Sequence, residues 1–503
     1  MDTREYRREY AAFCAAFERE RYRHESGLMA EPGYGRVFER FADLWTRQAI
    51  DDLRRAFDET PADFETERAG LHALLGAARE GYLRSQTREL SEELARCEEW
   101  SQVVWEKERV AASEVPERLA AEKESARRRE LAARWLDAVS TCDDLRAELL
   151  DSRRASTRAL GFDDERALYE ETTGAKLEVL ARGADAFLER TSNSYYSRLA
   201  GWVAREPAPM FAGELQYADA SYFRRMSSLD SLFPPGELRT AYTETFKGLG
   251  IRVEAQENIR IDDEPRPLKK ARTDSFRVGV PSEIYLLIGA RAQGARLYRD
   301  FFQAAGEAQA DAWASRELAA RHPEFIYAPD GATREGFGLL FRSLFCDVTW
   351  LGERRGLRAS ETEEIAEAFM LVEMHDVRLC SARLRYGLAL FDADDVRSEQ
   401  LSEIYATLHT EATGFRYHPA TSLLDAAAAQ RAAESLRARL FAVGFVEYLR
   451  ARHGRRWWAS RRAGDELRDI WNTASRYRVE ELARLVGAGE PDFELLAGSF
   501  KSA

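Results

Sequence analysis

The sequence predicts a mainly α-helical fold with one small β insert, on three observations. Apolar residues recur at three- to four-residue intervals through the first two hundred positions and again after about residue 290, the period of an amphipathic helix. Short alternating or apolar bursts, the mark of strands, are confined to about 250–290. No fixed-period repeat is visible, which disfavours a solenoid, and the 14 Pro and 31 Gly among 503 residues exclude collagen-like or linker-rich chains.

The elements follow in order. Between Glu5 and Arg23, the residues Tyr6, Tyr10, Phe13 and Phe17 form one helical stripe. Leu71 to Trp100 repeats this pattern. Pro116 to Leu150 does so with dense Glu/Arg pairing, and Pro116 suits a first helical turn. Four bursts then predict a small sheet: Gly250–Glu254, Ile259–Ile261, Phe276–Val280 and Ile284–Ile288. A long helix is expected over 293–321 (Gln293 to Arg321), with helical periodicity continuing to the C-terminus. Trp457, Trp458 and Trp471 fit a helical core better than a cofactor box.

Composition excludes several functions. The chain is 45% hydrophobic with mean hydropathy −0.49, and no apolar run approaches the roughly 18 residues that span a bilayer. Its formal net charge of −13 disfavours nucleic acid, and Arg127-Arg128-Arg129 and Lys269-Lys270 read as solvated helix faces. Five scattered cysteines (Cys14, Cys97, Cys142, Cys346, Cys380) argue against a disulfide framework or a zinc ribbon and for a reducing compartment. With no signal-peptide pattern at the start, a cytoplasmic location is expected.

Among the chemistry-bearing patterns, a His-Glu-x-x-His zinc helix is excluded by counting. None of the seven histidines (His24, His72, His322, His375, His409, His418, His453) has a partner four residues away. Gly289–Gly294 lacks the Lys-Ser/Thr of a phosphate loop. Glu373-Met374-His375-Asp376 reads as helix surface, with His375 turned inward and hydrogen bonded. No nucleophile accompanies His418.

The surroundings nevertheless look like such an enzyme with its key letters replaced. Val280–Leu286, then Phe301-Phe302-Gln303-Ala304-Ala305-Gly306-Glu307, then Thr333-Arg334-Glu335-Gly336-Phe337 resemble the thimet oligopeptidase/oligoendopeptidase F superfamily of helical, gluzincin-like zinc metallopeptidases. Leu232–Pro235, Gly248–Ile251, Arg266–Lys269, Trp457-Trp458 and Asp469–Trp471 resemble further landmarks of that family, and Glu80–Glu93 with Ala159–Phe162 fit its lid half. Arg291–Ala295 offers a second register, but Ala295 precedes Glu335 by 40 residues against 28 for Glu307, so Gln303–Glu307 is the better match.

The resemblance implies a two-lobed body around a long cleft: residues 1–200 as a lid-like lobe, and 201–503 as the catalytic-like lobe carrying the β insert and the degenerate motif helix. It also implies what is missing. The family's first ligand His is Gln303, its general base is Ala304, its second ligand His is Glu307, and the third ligand is kept as Glu335. Losing a general base costs about 10²–10⁴-fold in rate, and an amide with carboxylates is a poor zinc set. The family's Tyr-rich oxyanion segment corresponds to Leu424–Arg437, which contains no Tyr.

The expectation is a catalytically degenerate peptidase homologue without a resident metal or cofactor, keeping its cleft for a peptide or protein partner. Tyr417, His418 and Arg334 are expected near that cleft, and Glu307 is expected to meet either a basic ligand or an internal arginine such as Arg334 or Arg291. Two alternatives stay open: a metal-dependent enzyme using Gln303, Glu307 and Glu335 around a weakly held divalent cation, and a structural subunit of a hetero-oligomer.

Overall fold

A computed structural model describes residues 2–206 and 212–501. Helices dominate, and the described residues form two small sheets. Among them no helix is long and apolar enough to cross a membrane.

The first helix, Thr3–Glu25, starts where Asp2 accepts a 2.8 Å hydrogen bond from the Glu5 amide. Its stripe buries Tyr6, Tyr10 and Phe13 against Leu44, Trp45, Leu71 and Leu74, forming an amino-terminal core. Its other end is tied to the carboxy-terminal half: Arg21 pairs with Asp274 at 3.3 Å, and the Tyr22 hydroxyl donates to Asp262 at 2.8 Å. The amino-terminal core ends at Leu168, and Tyr169 already belongs to the main core. The buried apolar residues of helix Leu177–Arg205 join that main core.

The long helical runs divide where polar caps interrupt them. Pro116 does sit in a first turn, but of a short helix, Val115–Ala121, followed by Ser125–Ser140 and Asp143–Ala159. The expected 293–321 helix is two helices, Gly294–Ala312 and Arg316–Arg321, because the Ser315 hydroxyl accepts from the Leu318 amide and starts a new helix.

A hairpin absent from the sequence expectation pairs β1 (Gln102–Trp105) with β2 (Glu108–Ala111). Its two-residue turn is Glu106-Lys107, both at positive φ (51° and 71°), without the Asn or Gly that usually marks such a turn. The second sheet has the order β3-β5-β4, with β3 (Ile259–Asp262) parallel and β4 (Asp274–Gly279) antiparallel to the central β5 (Glu283–Leu287). The expected first strand is a 3₁₀ turn over Val253–Ala255.

Two further expectations are corrected. Cys97 and Cys142 form a disulfide across 45 residues, which removes part of the argument for a reducing compartment. Helix Arg88–Trp100 and helix Asp143–Ala159 meet through tertiary contacts, among them Arg146 on Glu98 at 2.7 Å, so no spacing announces the pair. The basic runs are not wholly solvated either. Arg128 is fully buried on Asp219 (2.7 Å), and Lys269 is buried on Asp262 (3.3 Å).

The main core is built around helix Gly294–Ala312, most of whose side chains are buried. It crosses Ala332–Arg342 so closely that a Cβ on Gly306 would lie 2.6 Å from the Phe337 carbonyl oxygen, and one on Gly338 would lie 2.9 Å from that of Gln303. Phe301 and Phe302 are fully buried, and truncating either would cost about 3–5 kcal/mol. Trp457, Trp458 and Trp471 are buried in the same core. Helix Ala429–His453 packs on the other side of Ala332–Arg342, and the 34-residue helix Ala359–Asp392 runs beside it.

Candidate functional site

The crossing of these helices places Gln303, Glu307 and Glu335 on adjacent helices, each held by a different neighbour. Glu307 is buried and paired with the Arg334 guanidinium. The same arginine donates from Nε to Asp311 Oδ2 at 3.0 Å and from Nη2 to Ser275 Oγ at 2.6 Å, and Ser275 in turn donates to Glu307 Oε2 at 3.3 Å. Burial raises the proton affinity of Glu307; Arg334 opposes this, while Asp274, Glu335 and Asp311 add to it. Arg334 is held above its ordinary value despite its own burial, because Asp311 and Glu307 flank it.

Gln303 belongs to a second network. Its side-chain oxygen accepts from Arg342 Nη1 at 3.0 Å, and Arg342 also bonds Glu373 (2.6 Å) and Asp376 (2.5 Å). Arg439 closes the set on Glu373 at 2.7 Å. The Glu373–Asp376 segment is therefore interior rather than surface. His375 within it is buried and bonds the Tyr195 hydroxyl at 2.9 Å through Nδ1. Glu335 accepts a 2.7 Å hydrogen bond from Ser435, which lies within the 424–437 segment.

The other predicted positions lie apart. His418 is exposed and caps a 3₁₀ turn by accepting from the Ala420 amide at 3.2 Å. Tyr417 packs on Tyr405 and His409 in a satellite cluster. Neither lines the large cavity described below, and neither does Arg334.

That cavity, of about 500 Å³, separates the amino-terminal helices from the floor. Phe13, Phe17, Phe38 and Trp45 line one side, and Tyr327, Gly331, Arg431 and Glu434 line the other. Sequence reasoning passed over Glu434, because its segment was read only for the tyrosines it lacks. Burial, with Asp330 and Glu335 contributing, pushes its carboxyl up to about 8, against the opposing charge of Arg431 and Arg437. The Arg342 network left a signal in the sequence: Glu373 and Asp376 stand three apart inside the apolar run Met370–Leu379, where charges must be paired.

No protein-family model matches this chain, and no curated protein matches it. Solved structures do. A structure assigned to oligoendopeptidase F superposes with TM-score 0.71 at 13% identity, covering 98% of this chain and 89% of that one. PZ peptidase A with an inhibitor superposes at 0.63 and 12% identity, covering 93% and 86%. The M32 carboxypeptidase of Deinococcus radiodurans R1 superposes at 0.60 and 13% identity, covering 99% and 97%. The chain has a peptidase fold. At such identities the likeness speaks for the backbone, and the chemistry rests on this chain's own side chains.

Those side chains do not fit zinc. The Gln303 amide is committed to Arg342, Glu307 is neutralised by Arg334, and Ala304 beside them carries only a methyl. Among the described residues no group of three His, Cys, Asp or Glu side chains is arranged to hold a metal. Of the seven histidines, none contacts Gln303, Glu307 or Glu335. The floor holds its charges in two arginine-centred networks, one on Arg334 and one on Arg342.

Proposed function

We propose that this peptidase-fold chain no longer hydrolyses peptides and retains its interlobe cavity as a binding site for a peptide segment. The observation that carries this reading is the Arg334 guanidinium seated between Glu307 and Asp311. A fixed internal cation there competes with any metal ion for the same carboxylates, and Ala304 leaves no group to take a proton from water. The cavity's volume lies within the usual range for ligand sites. It suits an extended segment of a few residues, whose backbone hydrogen bonds supply affinity while the walls select side chains.

The test pairs binding with turnover. The protein, incubated with excess zinc and then with an acetylated, amidated tetrapeptide library, should retain peptides on gel filtration and release them uncleaved by mass spectrometry. Chelator-sensitive cleavage that Glu335→Ala abolishes would overturn the reading.

A further inference from the structure

Charged groups around the cavity fall into two sets, committed and uncommitted. Arg21 is held by Glu18 and Asp274, Arg84 by Glu80, and Arg277 by the Ile326 carbonyl at 2.7 Å with its guanidinium over the Tyr327 ring. Glu80 is further paired with Arg153 at 2.8 Å. Glu434 makes no hydrogen bond or ion pair among the described residues, although Arg431 stands one helical turn before it on the same helix. A second acceptor is also open. Glu18 is only 8% exposed, and while its Oε1 receives Arg21 at 2.8 Å, its Oε2 is buried without a hydrogen-bond partner. The Trp45 indole N–H, in the aromatic wall of the same cavity, is likewise buried and unbonded.

Buried polar atoms without partners are costly, at roughly 1–3 kcal/mol each, so a site that keeps several is shaped for an occupant that satisfies them. Open carboxylate oxygens call for a donor. Aromatic faces beside them call for a group that is at once apolar and positively charged, because the ring quadrupole attracts cations while the ring surface takes up methylenes. Lysine and arginine side chains have this build. We infer that the cavity selects a short peptide carrying a basic side chain, with the cationic end on Glu434 and its aliphatic stem along the Phe13, Phe17, Phe38 and Trp45 wall.

The inference rests on the peptide-binding reading above and gives it a specificity. It also moves the anchor, since Glu307 already has its arginine and Glu335 already has Ser435. Arg431, exposed at the edge of the cavity, then has a peptide carbonyl to donate to instead of a neighbouring carboxylate. The raised proton affinity of Glu434 agrees with this: without an occupant the carboxyl is more easily kept neutral, and a cation at hydrogen-bond distance would ionise it.

The experiment uses the full chain and the acetylated, amidated tetrapeptide library with all common side chains equally represented. The fraction retained by wild-type protein should be enriched in Lys and Arg by about tenfold over Leu and Met, the worth of one desolvated charge pair. Glu434→Gln should lose that enrichment while total retention holds and the melting temperature does not fall. Glu18→Gln should reduce it in the same direction, which separates a lost anchor from a misfolded site. Retention without enrichment, or enrichment in Asp and Glu, would overturn the basic-side-chain inference and leave the peptide-binding reading standing. No retention of any peptide would overturn both.

Discussion

Two carboxylates, on helices that flank Ala332–Arg342 from opposite sides, live under opposite rules. Glu307, on helix Gly294–Ala312, is buried, paired with Arg334 and bonded by Ser275. Glu434, on helix Ala429–His453, faces a cavity and has no partner among the described residues. Both have raised proton affinity and burial is the leading cause for each, but only at Glu307 does a seated cation push back strongly. The lesson is that a buried carboxylate with an arginine seated on it serves as structure, while the one facing a cavity without such a partner is left open.

The largest effect that would break this contrast is at the floor. Arg334→Ala leaves Glu307 and Asp311 buried and uncompensated, and should cost about 3 kcal/mol or more in urea denaturation. Adding Glu307→Gln should restore much of it. If Arg334→Ala were neutral, the arginine would not be holding the floor.

Metal affinity sharpens the same point. Restoring the motif with Gln303→His, Ala304→Glu and Glu307→His places two imidazoles four residues apart beside Glu335. Arg334 would still stand there as a competing cation. A quadruple variant that adds Arg334→Met should bind zinc about 10–100-fold tighter than the triple, by titration against a chromogenic chelator. Equal affinities would show that the guanidinium does not block the seat.

Glu434→Gln should be neutral or stabilising at pH 8, by about 1 kcal/mol, in contrast to any change at Glu307. The sign follows from linkage. The folded protein holds the Glu434 proton up to about pH 8, whereas the unfolded chain releases it near 4.5. Wild-type stability from this group is therefore present at acid pH and lost as pH rises through that window. The variant's gain in melting temperature should be larger at pH 8 than at pH 5. A gain independent of pH would break the account.

The smallest expected effect is at His375. Burial depresses it from 6.5 to about 3, so the folded protein keeps it neutral while the unfolded chain takes up a proton below 6.5. Its contribution is present above pH 6.5 and is lost progressively as pH falls toward 3. His375→Phe removes the bond to Tyr195 and should cost about 1 kcal/mol at pH 7 but less at pH 5, read from paired denaturation curves.

Much of the scaffold was legible before any coordinates. The aromatic stripe from Tyr6 to Phe17 and the strand bursts at 259–261, 276–280 and 284–288 mark real elements, since local periodicity reports which face a segment must bury. The β1–β2 hairpin was invisible because Glu106 and Lys107 carry no turn signature, and the Cys97–Cys142 pair because its two cysteines, 45 residues apart, meet only in the tertiary fold.

The sequence alone determined the helical class, the place of the three-stranded sheet and the absence of any ionisable group at Ala304. Composition and local pattern act within a few residues, and a missing functional group needs no neighbour to be missing. Only the tertiary structure decided which charges are spent. Arg334 reaches Glu307, Asp311 and Ser275 from another helix, and Arg342 on that same helix gathers Gln303 from Gly294–Ala312 and Glu373 and Asp376 from Ala359–Asp392. Such pairings depend on helix crossings, here set by the close approach at Gly306 and Gly338; the chain marks that Glu373 and Asp376 need partners but not which residues those are.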